Sequence, residues 1–306
     1  MIDKCNREIK HIRLSVTTDC NYDCIYCDKE GIEPTKELLT IDEIERIARV
    51  LAQILKVKRI KITGGEPLCR KNIVQIVKRI HDLHLYDDIS ITTNGFRLYE
   101  LAQQFLDAGL NRLNVSLCSL NSDTYQKITG SDSLDQVLKG IYKAKEVGLY
   151  PIKLNYVILK GLNDGEFEDF VNLCSQNGFV LQLIELHETA SSKPEQKAFY
   201  QKYHFDIKPI LEDLSSIASQ VITREEMQNR KIYVLPNNAV VETITPSHEF
   251  CMGCTKLRIG CDGNLFGCLY RSDLGESLKT ILNNHDSLDE YESVVRTVVS
   301  SREPYF

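Results

Sequence analysis

The sequence predicts an α/β fold in which a parallel sheet curls into a closed or partial (β/α) barrel. Three observations predict it: short apolar strands alternate with amphipathic helices six times, glycines stop helices, and unusual residues gather where strands end. "HIRLSV" (11–16) is the first strand. The helix "TIDEIERIARVLAQIL" follows, with Thr40 and Glu43 at capping-box spacing and Ile44, Ile47, Ala48, Leu51 and Ile54 on one face. "RIKIT" (59–63) runs into Gly64-Gly65, and a helix starts near Lys71. "ISITT" (89–93) ends at Asn94-Gly95, and "LYELAQQFLDAG" is a helix stopped by Gly109. "RLNVSL" (112–117), a helix stopped by Gly148, "IKLNYVIL" (152–159), a helix over 165–177 and "FVLQLIEL" (179–186) complete the series.

Composition excludes several classes. A length of 306 residues, 42% hydrophobic and 26% charged, is ordinary for a globular protein with a substantial core. A net charge of −6 offers no electrostatic case for a nucleic-acid polymer as partner. "MIDKCNREIKHIRLS" lacks an apolar signal region and no run reaches the length of a membrane span, so a cytoplasmic protein with no membrane partner is expected.

The eleven cysteines are unevenly placed. Cys20, Cys24 and Cys27 fall within "TTDCNYDCIYC", directly after the first strand, and Cys251, Cys254, Cys261 and Cys268 form a second group. In a reducing compartment such groups point to metal or redox chemistry rather than disulfides. Cys5, Cys69, Cys118 and Cys174 are scattered and read as small buried hydrophobes. Structural zinc takes four protein ligands, whereas three thiolates hold three irons of a [4Fe–4S] cluster and leave the fourth open to a chelating molecule. The plain alternative is three buried cysteines or a partial zinc site. For "CMGCTKLRIGCDGNLFGC" two readings stand. One is a zinc knuckle on all four cysteines. The other is a second cluster on Cys251, Cys254 and Cys268, again with an open iron.

C-x3-C-x2-C with Tyr26 before its last cysteine is the signature of the radical S-adenosylmethionine (SAM) superfamily. Together with "RIKITGGEPL", "ITTNG", "AGLNRLNVSL", "GLYPIKLNYVILKGLND" and the C-x2-C-x13-C block, it makes residues 8–270 resemble the MoaA family. Those radical SAM enzymes of molybdenum-cofactor biosynthesis rearrange GTP into 3′,8-cyclo-7,8-dihydro-GTP. The resemblance implies a partial six-unit barrel of TIM type with a smaller C-terminal iron–sulfur segment, divided here as 1–235 and 236–306. It implies two [4Fe–4S] clusters and SAM, whose cleavage yields a 5′-deoxyadenosyl radical that abstracts hydrogen from the substrate.

Residue by residue, the resemblance gives the first cluster to Cys20, Cys24 and Cys27 and the second to Cys251, Cys254 and Cys268. Tyr26, Gly64, Gly65, Glu66 and Ser116 match the SAM side, and His187 is set with them. Arg13, Thr92, Lys153 and Arg258 match positions that touch the nucleotide. Lys61 and Lys256 stand where the family has arginine, keeping the charge but losing the planar fork. Gln182 and His187 replace a strand-six arginine and methionine, Cys118 replaces an aspartate, and "SSREPYF" offers no counterpart to the family's Gly-Gly tail. The departures fall on the substrate side, so the expected substrate is GTP or a related 5′-phosphorylated nucleoside, cyclised after hydrogen abstraction from its sugar. A reducing protein is expected as electron donor, and a homodimer is left open. The alternatives are a peptide-modifying radical SAM enzyme, which the lack of cysteine after Cys268 disfavours, and a zinc-stabilised binding module.

Overall fold

The structure, a computed structural model, describes residues 1–188, 194–282 and 287–305. Its twelve strands are β1 (His11–Ser15), β2 (Arg59–Thr63), β3 (Asp88–Thr93), β4 (Arg112–Ser116), β5 (Ile152–Ile158), β6 (Val180–Glu185), β7 (Gln220–Arg224), β8 (Arg230–Val234), β9 (Val240–Ile244), β10 (Lys256–Ile259), β11 (Asn264–Phe266) and β12 (Glu276–Ser277). The helices are α1 (Ile41–Leu55), α2 (Ile73–His81), α3 (Leu98–Asp107), α4 (Ser122–Thr129), α5 (Leu134–Glu146), α6 (Phe167–Asn177), α7 (Pro194–Tyr203), α8 (Lys208–Ile217), α9 (His248–Met252), α10 (Lys279–Leu282) and α11 (Leu288–Ser301).

One sheet holds every strand of the described residues, in the order β12-β11-β10-β1-β2-β3-β4-β5-β6-β9-β8-β7. From β10 to β9 all neighbours are parallel, so the six predicted strands stand side by side in chain order and one further parallel strand flanks them on each side. Residues 236–306 therefore flank the six-strand set on both sides: β9 pairs with β6, and β10 pairs with β1. The link 245–255 joins these two flanking strands.

The strands explain how a polar interior arises in a parallel sheet. Ile12, Leu14, Ile60, Ile62, Ile89, Ile91, Leu113 and Val115 are almost fully buried, giving one face to the helical layer. Alternate positions carry His11 and Arg13, Arg59 and Lys61, Ser90 and Thr92, and Arg112 and Ser116 to the other face, where each of them lines a single large cavity. The capping box of α1 forms as its sequence predicts: Glu43 N–H donates to Thr40 Oγ1, and Thr40 N–H donates to a Glu43 carboxylate oxygen at 2.6 Å. That fixes α1 behind β1 and β2 with Ile44, Ile47 and Leu51 buried. Among the described residues no helix is long and apolar enough to cross a membrane.

Candidate active site

The two cysteine groups lie at opposite ends of the parallel strands. Cys20, Cys24 and Cys27 follow the C-terminal end of β1, while Cys251 and Cys254 precede the N-terminal end of β10. Five strand residues at ~3.3 Å rise put roughly 13 Å between those levels. Cys268 joins the lower group through the β10–β11 hairpin. Arg258 pairs with Phe266, so the antiparallel register carries Cys268 back beside Lys256, two residues from Cys254. The x13 gap is the length of that hairpin. Cys261 sits near its turn, fully buried, under Coulombic influence from Asp262 and Arg70 and hydrogen-bonded with Ser15 rather than with the other three cysteines. The four-cysteine zinc knuckle therefore does not assemble.

At the upper end, "TGGEP" is clamped to the cysteine loop. Gly65 N–H donates to the Thr17 carbonyl at 2.8 Å and Glu66 N–H to the Asp19 carbonyl at 2.7 Å. A Cβ on Gly65 would lie 2.4 Å from the Asp19 oxygen, and one on Gly64 would lie 2.6 Å from the Thr17 oxygen. Both glycines are thus required by close backbone approach to the loop that carries Cys20. Glu66 is buried below them and accepts from Leu68 N–H (2.9 Å), Thr93 Oγ1 (2.6 Å) and Asn94 N–H (2.6 Å). Burial lifts its carboxyl to about 7. It ties the second strand's loop to the third's and is not on the cavity wall.

The cavity, about 780 Å³, is lined by Cys27 and Tyr26 at one end and by Cys251, Cys254 and Cys268 at the other. Its wall among the described residues carries nine Lys and Arg side chains against five carboxylates, inside a protein of net charge −6. The source of this charge is a repeated triplet. His11-Ile12-Arg13, Arg59-Ile60-Lys61 and Lys256-Leu257-Arg258 lie on adjacent strands in register, His11 beside Arg59 and Lys256, and Arg13 beside Lys61 and Arg258. Crowded cations and burial depress one another's proton affinity. Burial, with Arg13 and Arg112 nearby, holds Lys61 well below the ordinary lysine range; burial and Arg230 do the same to Lys256. Burial and Arg59 bring His11 down to about 3. The buried Nε atoms of Arg13 and Arg230 have no hydrogen-bond acceptor among the described residues. Glu30, in the loop after Cys27, bridges Arg13 and Arg258, the latter at 2.7 Å. Such a wall has the charge and the hydrogen-bond donors to attract a multiply charged anion.

The predicted residues divide accordingly. Tyr26, Ser116, His187, Arg13, Lys61, Thr92, Lys256 and Arg258 share the cavity. His187 is pushed down to about 4 by burial, and its ring lies 5.7 Å from that of Tyr270. Lys153 is elsewhere: buried on β5, it forms an ion pair with Glu242, which also accepts from Gln182 at 2.9 Å. Gly64, Gly65 and Glu66 organise the loops behind the wall. Arg59, Arg112 and Arg230 were not singled out from the sequence, although the first belongs to a visible basic–apolar–basic triplet.

The donor types of both thiol sets are those of iron–sulfur clusters, although among the described residues no group of three His, Cys, Asp or Glu side chains is placed to hold a metal ion. Burial, then the neighbouring Cys27 and Cys20 sulfurs, push Cys24 up to about 12. Backbone N–H groups of Tyr22 and Lys29 point at the sulfurs of Cys20 and Cys27, each at 3.4 Å. Burial opposes ionisation of Cys254, but Lys256, Arg302 and a backbone hydrogen bond prevail and its thiol is lowered.

A family model described as the radical SAM superfamily matches residues 14–174, and one described as Molybdenum Cofactor Synthesis C matches residues 179–306. The chain belongs to the radical SAM superfamily. It is an enzyme of the branch that joins these two regions, and that superfamily's cofactors are a [4Fe–4S] cluster and SAM. A probable GTP 3′,8-cyclase of Thermococcus kodakarensis is 40% identical over 312 residues, covering 100% of this chain and 99% of the relative. One from Methanothermobacter marburgensis is 42% identical, covering 99% and 98%. Among solved structures, SAM-bound SuiB of Streptococcus suis superposes with a TM-score of 0.68 at 18% identity, over 94% of this chain and 68% of that one. AdoMet-bound anSMEcpe gives 0.58 at 14%, over 92% and 82%. These two likenesses concern the radical SAM fold alone.

Proposed function

We propose that this radical SAM enzyme binds GTP, or a closely related nucleoside triphosphate, lengthwise in the cavity between its two cysteine groups and cyclises it. The observation that carries this reading is the set of in-register basic triplets on β10, β1 and β2, which line a cavity bounded at both ends by cysteines. Relatives near 40% identity over the whole chain, named probable GTP 3′,8-cyclases, support the choice of GTP.

In this reading Arg13, Lys61 and Arg258, with Arg59 and Arg230 alongside, neutralise the triphosphate through charge-assisted hydrogen bonds. A [4Fe–4S] cluster on Cys20, Cys24 and Cys27, with SAM, supplies a hydrogen-abstracting 5′-deoxyadenosyl radical when bound. Tyr26 and Ser116 bound the SAM side of the cavity, and Gly64, Gly65 and Glu66 hold the loop geometry there. Residues 236–306 supply Cys251, Cys254 and Cys268 for a second [4Fe–4S] cluster, which faces the nucleobase end. Lys153 acts at one remove: together with Arg224 and Arg230 it neutralises the buried Glu242. A reducing protein delivers the electrons.

Anaerobically reconstituted protein incubated with SAM, a strong reductant and GTP, UTP, CTP or ATP tests the reading. It expects an isomer of GTP, unchanged in mass, formed together with 5′-deoxyadenosine and methionine. Equal deoxyadenosine formation with every nucleotide, and no isomer from any, would contradict it.

A further inference from the structure

The lower cysteine group is gripped by two arginines that the basic triplets do not include. Asp3 lies at their centre, its carboxylate fully buried, taking Arg7 Nε at 2.7 Å and an Arg302 terminal nitrogen at 2.8 Å on the same oxygen. Its other oxygen accepts the N–H groups of Cys5 and Arg7, each at 2.9 Å, which fixes the turn that presents Arg7. Each guanidinium then reaches the cysteines. Arg7 donates to the Cys251 carbonyl at 3.0 Å, and Arg302 donates to the Cys254 carbonyl at 2.7 Å and to the carbonyl of Gly267, the residue before Cys268, at 3.3 Å. A Cβ at Gly267 would come within 2.4 Å of Arg302 Cγ, so that position admits the crossing arginine only as glycine.

We propose that Asp3, Arg7 and Arg302 are positioning residues for the second cluster, setting the backbone of all three cysteines and the cluster's reduction potential. This rests on the reading that Cys251, Cys254 and Cys268 hold such a cluster. Two guanidiniums against one carboxylate leave one net positive charge in a region where the three side chains are 5%, 0% and 2% exposed. A cluster on three thiolates is anionic, more so when reduced, and nearby buried positive charge favours the reduced form.

The test uses the full chain with Cys20, Cys24 and Cys27 changed to alanine, reconstituted with iron and sulfide, so that the only cluster is the second. Redox titration followed by electron paramagnetic resonance gives its potential. Arg302→Gln and Arg7→Gln remove positive charge and shift the potential down, whereas Asp3→Asn removes negative charge and shifts it up. Arg302→Lys keeps the charge and loses the fork, so its potential stays near the parent's while iron is lost faster to a chelator. Opposite shifts are what a merely structural role does not produce. Unchanged potentials, or shifts of one sign in all variants, overturn the proposal. Should Asp3→Asn not fold, the contrast between Arg302→Gln and Arg302→Lys decides it. A parent protein that retains no iron would instead overturn the second-cluster reading.

Discussion

Arg13 of β1 and Arg258 of β10 stand opposite one another in parallel register, and the Glu30 carboxylate bridges them. Two partly buried guanidiniums so close together favour an anion between them, and in the proposed reading Glu30 stands where the triphosphate would bind. The nucleotide must therefore displace it. Arg258→Lys, which loses the planar fork, is expected to weaken GTP binding about tenfold, roughly 1.4 kcal/mol. Glu30→Gln, which removes the competing charge, is expected to tighten it by a similar factor. Equilibrium dialysis with the unreactive apoprotein measures both.

Lys61 leads to a second expectation. Burial and neighbouring cations hold its proton weakly in the ligand-free cavity. A bound polyanion raises that affinity, so GTP binding is expected to take up protons, and affinity to fall as pH rises through the range in which Lys61 loses its proton. Calorimetry in buffers of differing ionisation enthalpy measures the uptake. Lys61→Met is expected to reduce it, leaving the share that Lys256 contributes.

Glu66 is tied to stability rather than binding. Its folded-state value near 7 exceeds the unfolded value near 4.5. The folded chain thus holds this proton more tightly, and the group's contribution is complete below pH 4.5 and declines as pH rises through 7. The decline amounts to about 3 kcal/mol. Urea unfolding across pH 5–8 should show that slope in the parent and a flatter one in Glu66→Gln.

Gly65→Ala is expected to cost the first cluster. Its Cβ meets backbone oxygens of Asp19 and Thr18 at 2.4 and 2.6 Å, and backbone cannot step aside as a side chain does. Reconstituted Gly65→Ala should hold about half the parent's iron, the second cluster alone. Iron and sulfide analysis checks this.

The fold was legible where alternation was strong. β1 to β6 each pair a buried aliphatic with a neighbour facing inward, and that pattern survives in a single sequence. Residues 194–234 were not legible as helix and hairpin: α7 buries no residue, and β7 is mostly exposed at the sheet edge. The cysteine groups were legible from spacing, but the separation of Cys261 needed the β10–β11 register. Lys153 matched a family position, yet its partner Glu242 lies 89 residues away, and pairing at that range leaves no local signal. The same holds for Asp3 with Arg302, which the fold brings together across 299 residues.

In the proposed binding mode the nucleotide lies with its sugar next to the SAM end of the cavity. Deuterium transfer from GTP labelled at the ribose 3′ carbon into 5′-deoxyadenosine, read by mass spectrometry on the reconstituted enzyme, decides this placement. Deuterium in the deoxyadenosine is the predicted result. Deoxyadenosine formed at the same rate without deuterium would contradict the account.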